Sequence, residues 1–91
     1  MSLQVLKFGA TWCGPCIKMK PTISTLITEF PEVEFSDIDI DDQPELAVQY
    51  KIKSVPTLIF LKNGVEINKV IGLQPIDPLR KLIREYSSPS I

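Results

Sequence analysis

Histidine is absent from this chain of 91 residues, and cysteine and tryptophan are scarce, with two cysteines and one tryptophan. A structural zinc site needs four ligands, usually cysteine or histidine, so only a dimer that shares one site could supply them. A c-type haem attachment needs a histidine directly after the second cysteine, where this chain has Ile17. We therefore expect neither a metal nor a haem.

Long apolar runs and an excess of basic charge are also lacking. No run approaches the length of a membrane-spanning helix, and the net charge of −1 offers no broad basic surface for nucleic acid or anionic lipid. A hydrophobic fraction of 44% is sufficient for the core of one domain. We expect a single domain over residues 1–86 and a loose C-terminal tail over residues 87–91.

The two cysteines lie close together, in the run Trp12-Cys13-Gly14-Pro15-Cys16, just before a helical pattern. The free amides and the dipole at a helix start favour the thiolate of a cysteine placed there. A thiolate with a second thiol beside it is suited to thiol–disulfide exchange. The alternative is a purely structural disulfide. That is typical of secreted domains with several bridges, whereas this chain has one cysteine pair and we expect no secretory segment.

Hydrophobic periodicity predicts the element order β-α-β-α-β-β-α. The predicted strands cover residues 3–8, 33–40, 57–61 and 65–71, and Asn63-Gly64 is typical of a two-residue hairpin turn between the last two. A helical crossover makes the first two strands parallel, and the hairpin makes the last two antiparallel. We expect the last strand to be the less buried edge of the sheet, because its apolar and polar residues alternate.

Three helices are predicted to alternate with or follow these strands. The first begins at the cysteine pair and should be kinked at Pro21. Its expected buried face comprises Cys16, Met19, Ile23, Leu26, Ile27 and Phe30. Asp42 is expected to cap the second helix, with Glu45 at capping-box spacing. Asp77-Pro78 is expected to cap the third.

In order and spacing, these motifs resemble the thioredoxin family over residues 5–82. The resemblance rests on the cysteine run, Pro21, Val55-Pro56-Thr57, Lys62-Asn63-Gly64 and Gly72. It implies a minimal thioredoxin-like α/β fold with a four-stranded mixed sheet in the order 2-1-3-4, an antiparallel last strand and helices on both faces. The family's usual first strand and helix are missing, so the expected core is closer in size to that of glutaredoxins.

The resemblance assigns the chemistry to the cysteine pair. It implies that Cys13 is the exposed attacking thiolate and that Cys16, more buried, attacks next to release the reduced product. Pro56 is similar to the family's cis-proline, which shapes the groove where the substrate backbone docks. The residues that resemble the family's apolar docking surface are Trp12, Gly14, Pro15, Ile40, Val55, Pro56, Gly72 and Leu73.

Lys7 departs from the family pattern, in which this strand carries a buried aspartate with a lysine partner on the neighbouring strand. The position that matches the partner is Asp37, so the charges are exchanged. We expect an inward Lys7–Asp37 pair that retunes the cysteine pair and belongs to the catalytic residues. Strand parity is consistent with this, since Lys7 shares a face with Leu3 and Val5. The alternative is that the lysine extends to water.

The resemblance implies a cytoplasmic, monomeric protein-disulfide reductase that binds no cofactor or metal. Its reducing equivalents would come from NADPH through thioredoxin reductase, and its substrates would include proteins such as ribonucleotide reductase. We expect no nucleic-acid or membrane partner. Two alternatives stay open: a glutaredoxin-like enzyme reduced by glutathione, and a non-catalytic binding subunit of a larger complex.

Overall fold

The computed structural model describes residues 2–87, which form the predicted order of strands and helices. The elements are β1 (Leu3–Gly9), α1 (Gly14–Glu29), β2 (Glu34–Asp39), α2 (Pro44–Gln49), β3 (Thr57–Lys62), β4 (Val65–Ile71) and α3 (Ile76–Ser87). Ser87, placed in the tail by the sequence analysis, is the last residue of α3. Residues 88–91 of that tail lie outside the described residues.

The sheet has the strand order β2-β1-β3-β4, as predicted, with β2 and β4 at its edges. β1 pairs with β2 in parallel, and β3 pairs with β4 antiparallel. β3 also runs antiparallel to β1, a direction that the sequence pattern leaves undetermined. As a result, the ends of β1, β2 and β4 and the start of β3 all meet at one end of the sheet.

The hairpin between β3 and β4 turns at Asn63-Gly64, as predicted. Asn63 has a φ of 53° and Gly64 a φ of 82°, so both residues are in the left-handed region. Two consecutive left-handed residues are the geometry of a type I′ turn, whose twist matches that of the flanking strands. Asparagine and glycine tolerate this backbone better than other residues, which is why the dipeptide is a reliable local signal.

Each face of the sheet is covered by helix, as predicted. Helices α1 and α3 cover one face. The core between these helices and the sheet consists of Leu3, Val5, Met19, Ile23, Leu26, Val33, Leu58, Phe60, Leu79 and Ile83. Helix α2 and the loop after it cover the opposite face, which holds Leu6, Phe8, Ile38, Ile59 and Leu61. Alternate residues of β1 thus contribute to two separate cores, the pattern of a central strand.

The buried face of α1 is narrower than the sequence predicts. Cys16, Met19, Ile23 and Leu26 are buried, but Ile27 is exposed and Phe30, which caps the helix, is only partly buried. Ile27 lies over edge strand β2, where it lines an open cavity of about 360 Å³ with Phe35. The expected face is too wide because helical spacing does not show where the sheet ends.

The starts of α2 and α3 also differ from the sequence prediction. Gln43, not Asp42, is the N-cap of α2, and it makes no side-chain capping hydrogen bond. The amides of Asp42 and Gln43 both donate to the carbonyl of Asp39, so a turn precedes the helix and displaces its start. Helix α3 begins at Ile76 and therefore holds Asp77 in its first turn, where a carboxylate favours the helix dipole without acting as the cap.

A bidentate ion pair joins α1 to α3. Arg80 donates from Nε and Nη2 to the two carboxylate oxygens of Glu29, at 2.7 and 2.9 Å. This hydrogen bonding lowers the pKa of Glu29 below its ordinary value of 4.5, and the charges of Arg80 and Arg84 add to the effect, while desolvation opposes it. The charged form of Glu29 therefore stabilises the folded state.

We predict that Glu29→Gln makes the free energy of unfolding less dependent on pH between about pH 5 and pH 3. A carboxyl whose pKa is lowered by folding contributes stability above its unfolded pKa and loses it as the pH falls through the folded pKa. Urea unfolding at a series of pH values measures this. Glu32→Gln, which alters an exposed carboxylate in the turn that follows α1, is the control and should keep the wild-type slope. Identical slopes for wild type and Glu29→Gln would contradict the prediction.

Candidate active site

The turn from β1 into α1 holds the cysteine pair. Gly9 ends β1, and the amide of Cys13 donates to the carbonyl of Ala10 at 3.2 Å, which reverses the chain. Cys13 is the N-cap of α1, as the sequence predicts, and Pro15 stands in the first helical turn, where its missing N–H costs nothing. Cys13 and Cys16 are joined in a disulfide.

Cys13 Sγ takes the place of a capping side chain at the start of α1. The Cys16 amide donates to this sulfur at 3.2 Å. The same sulfur lies 3.7 Å from the carbonyl oxygen of Val55. The amide and the positive end of the helix dipole favour negative charge at Cys13, which lowers the pKa of such a thiol.

Both cysteines are buried in the disulfide state, with 4% of Cys13 and 2% of Cys16 exposed. The expectation that Cys13 is exposed is therefore wrong for this state, because Ala10, Ile40 and Val55 pack around the pair. Cys16 lies beneath β1: a Cβ added at Gly9 would stand 3.4 Å from Cys16 Sγ. A side chain at Gly9 would thus lie in ordinary van der Waals contact with the sulfur.

The loop before β3 brings Pro56 beside Cys13. The Val55–Pro56 peptide bond is cis, as the sequence resemblance predicts. Thr57 Oγ1 donates to the Ser54 carbonyl at 2.7 Å, and the Gly72 amide donates to the Pro56 carbonyl at 2.8 Å. These bonds fix the loop from both sides and connect Gly72, at the end of β4, to the same site.

Trp12 forms the exposed wall of the site, with 67% of the residue exposed. Its indole Nε1 donates to Asp41 Oδ2 at 2.9 Å, which anchors the ring to the loop after β2. The sequence analysis did not assign Asp41 to the site, because no local pattern joins two residues that are 29 positions apart. The ring shares an open cavity of about 330 Å³ with Ile40, Ala47, Ile52, Lys53, Ser54 and Val55.

The remaining residues of the expected docking surface are Gly14, Pro15, Gly72 and Leu73. Gly14 and Pro15 are exposed at the start of α1, Gly72 is partly buried, and Leu73 is exposed just beyond it. Ile17 and Ile71 are exposed apolar side chains near the same end of the molecule. Exposed apolar side chains that cluster at one end of a small domain are typical of a binding surface.

Lys7 lies behind the cysteine pair, on the face of the sheet that α1 covers. Only 5% of the residue is exposed, so the expectation that it points inward is confirmed. Its Nζ lies 3.9 Å from Asp37 Oδ1, whose side chain is 73% exposed. The expected inward pair is therefore wrong in one respect: Asp37 lies on edge strand β2, and its carboxylate faces solvent.

Residues 2–87 contain neither a cluster of metal ligands nor a membrane-spanning helix. No three Cys, His, Asp or Glu side chains in this part of the chain are grouped so that they could bind a metal ion. The helices within the described residues are all too short or too polar to cross a membrane.

A disulfide-forming pair that caps a helix beside a cis-proline loop defines a thiol–disulfide exchange site on an α/β fold. A family model described as thioredoxin matches residues 1–85. The chain is 42% identical to a thioredoxin of Chlamydia trachomatis over 84 aligned residues. The alignment covers 92% of this chain and 82% of that protein. Over 80 residues, it is 38% identical to an H-type thioredoxin of Fagopyrum esculentum, at 88% and 69% coverage.

Solved structures give the same result. The thioredoxin of Fasciola hepatica superimposes with a TM-score of 0.89 at 37% identity, over 94% of this chain and 82% of that one. A mutant thioredoxin from Halobacterium salinarum gives a TM-score of 0.91 at 34% identity, over 99% and 79%. The chain belongs to the thioredoxin family, and Cys13–Cys16 is the redox-active disulfide of a thiol–disulfide oxidoreductase.

We predict that alkylation of the reduced protein modifies Cys13 before Cys16, because the amide of Cys16 and the start of α1 stabilise the Cys13 thiolate. A short pulse of iodoacetamide, followed by mass spectrometry of the peptides, measures the order. Cys16→Ser should accumulate a mixed disulfide with a substrate protein, whereas Cys13→Ser should not. Faster modification of Cys16 would show that the two roles are reversed.

Proposed function

We propose that this protein reduces disulfide bonds in other proteins, with Cys13 as the attacking thiolate and Cys16 as the resolving thiol. The observation that supports this assignment most is the hydrogen bond from the Cys16 amide to Cys13 Sγ at the start of α1. This hydrogen bond is made to Cys13 Sγ, where it favours negative charge, whereas Cys16 Sγ lies beneath β1 at Gly9.

The proposed reaction has two exchange steps. The Cys13 thiolate attacks a substrate disulfide, forms a mixed disulfide and releases one substrate thiolate. The Cys16 thiolate then attacks Cys13 Sγ, closes the Cys13–Cys16 disulfide and releases the second substrate thiolate. The two electrons that reduce the substrate come from the two thiols, so the reaction itself needs no bound cofactor.

The proposal extends to the partners of the protein. The disulfide is reduced again by thioredoxin reductase, with electrons from NADPH, and the substrates are disulfide-containing proteins such as ribonucleotide reductase. The protein acts as a monomer in the cytoplasm, a compartment where disulfides of this kind are transient and catalytic. The thioredoxin relatives support this role in general terms.

The source of electrons separates this proposal from its alternatives. We predict that insulin disulfides are reduced with NADPH and a thioredoxin reductase at least about tenfold faster than with glutathione and glutathione reductase, because the site is that of a thioredoxin. NADPH consumption measures both rates, and Cys13→Ser is the inactive control. Faster turnover with glutathione would indicate a glutaredoxin-like enzyme. Absence of turnover with either system would favour a binding subunit.

The docking of substrate is proposed to use the cavity beside Trp12. A substrate segment that lies along the Val55–Pro56 loop can place an apolar side chain between the indole ring, Ile40 and Val55. Burial of such a side chain contributes about 1.5–3 kcal/mol, enough to affect affinity without affecting the thiol chemistry itself. Binding energy would thus come from this surface and reactivity from the helix start.

We predict that Trp12→Ala raises KM for a protein disulfide several-fold but changes the reaction of Cys13 with a small disulfide such as dithiodipyridine by less than about twofold. The substitution removes the wall of the cavity but leaves the start of α1 in place. Steady-state insulin reduction and stopped-flow absorbance measure the two effects. Val65→Ala, an exposed apolar residue at the start of β4, is the control and should change neither. Equal losses for both substrates would exclude a docking role for Trp12.

A further inference from the structure

Lys7 is the one charged residue that is buried among residues 2–87. Its nearest opposite charge is Asp37, at a distance of 3.9 Å, which is long for a hydrogen bond. The Asp37 carboxylate is exposed and therefore screened by water and salt, so it neutralises the buried ammonium only in part. A lysine side chain that is largely buried is uncommon in a protein core, so the position of Lys7 requires an explanation.

The side chain of Lys7 extends toward Cys16. A Cβ added at Gly9 would stand 3.4 Å from Cys16 Sγ and 4.0 Å from Lys7 Cε. The lysine chain and the sulfur therefore both lie next to the backbone of Gly9. Lys7 and Cys16 also line one cavity, of about 250 Å³, between α1 and edge strand β2.

The charged groups that face this cavity are Lys7, Lys20, Asp37 and Asp39. Lys20 and Asp37 are exposed and lie at the cavity's opening, and Asp39 is partly buried and accepts a hydrogen bond from the amide of Asp41. Only Lys7 is buried with the sulfur. Coulomb interactions with a buried charge are stronger and less screened than those with an exposed one, so the Lys7 ammonium dominates the field at Cys16.

We propose that Lys7 is a positioning residue that stabilises the thiolate of Cys16 in the resolving step. This proposal rests on the proposed roles of the two cysteines. The ammonium has no lone pair and cannot accept the thiol proton, so the proton passes to water through the open cavity. The Cys16 thiolate then attacks Cys13 Sγ, the bond between Cys13 and the substrate sulfur breaks, and the released substrate thiolate takes a proton from solvent.

A cation behind Cys16 also affects the equilibrium between dithiol and disulfide. The disulfide carries no charge, whereas a thiolate on either sulfur of the reduced state is stabilised by a nearby ammonium. Lys7 therefore shifts the equilibrium toward the reduced state and makes the protein a weaker reductant than it would be with an uncharged residue at this position. Asp37 moderates the effect because it neutralises part of the charge of Lys7.

The test measures the pH dependence of Cys16 alkylation in a Cys13→Ser background. Adding Lys7→Met should move the midpoint of this profile to higher pH and slow alkylation at neutral pH about tenfold, since methionine has similar length but no charge. Lys7→Arg should restore most of the wild-type rate. Lys20→Met removes an exposed cation from the opening of the same cavity and, as the matched control, should change the rate less than about twofold.

The redox potential gives a second readout, in the protein with both cysteines. Lys7→Met should make the potential more negative by about 30 mV for a tenfold change in the equilibrium constant. Asp37→Asn should have the opposite sign, because it leaves the buried cation less neutralised. A glutathione redox series measures both. Asp37→Asn alters an exposed residue and retains Lys7, so it tests the proposal even if Lys7→Met impairs folding.

Two outcomes would overturn the proposal. The first is an alkylation profile and a potential that neither Lys7→Met nor Asp37→Asn changes. The second is a Cys16 profile that moves with Asp39→Asn and not with Lys7→Met, which would show that a carboxylate takes the thiol proton. The proposed reductase function is tested independently of Lys7. It is wrong if the wild-type protein does not reduce insulin with thioredoxin reductase, and this result does not depend on the Cys16 alkylation profile.

Discussion

The hydrogen bond from the Cys16 amide to Cys13 Sγ is the interaction on which the rest of the site depends. It requires Cys13 to stand at the N-cap of α1, and therefore requires β1 to end where it does and the chain to reverse at Ala10. It also makes the two sulfurs unequal. Cys13 Sγ lies at the positive end of a helix, while Cys16 Sγ lies under a strand. Two thiols in such different environments can take different roles, one in attack and the other in resolution.

The direction of β3 determines how the surface around the cysteines is assembled. Because β3 runs antiparallel to β1, its start lies beside the end of β1, and the end of β4 returns to the same place. Trp12, the loop that begins with Ile40, the Val55–Pro56 loop and Gly72 consequently meet at one end of the sheet. Hydrogen bonds between these loops, from Trp12 to Asp41 and from Gly72 to Pro56, then hold the surface in shape.

The position of β2 at the edge of the sheet explains the asymmetry of the Lys7–Asp37 pair. Lys7 lies on a central strand beneath α1, where the side chain is largely buried, and Asp37 lies opposite it in register on a strand with solvent on its other side. The same geometry leaves Ile27 exposed above β2 and opens the cavity that reaches Cys16. A largely buried cation and a solvated anion do not neutralise each other fully, and the proposed role of Lys7 rests on this asymmetry.

Features that depend on near neighbours along the chain could be predicted from the amino-acid sequence alone. The helix start at Cys13, the turn at Asn63-Gly64 and the order of strands and helices all follow from residues a few positions apart, and all are confirmed. Resemblance to thioredoxins added the cis bond at Pro56. Four features are seen only in the three-dimensional structure: the direction of β3, the burial of Cys13, the exposure of Asp37 and the hydrogen bond from Trp12 to Asp41. These features depend on which distant segments become neighbours and on where the sheet ends, and the periodicity of a single segment carries no information about either.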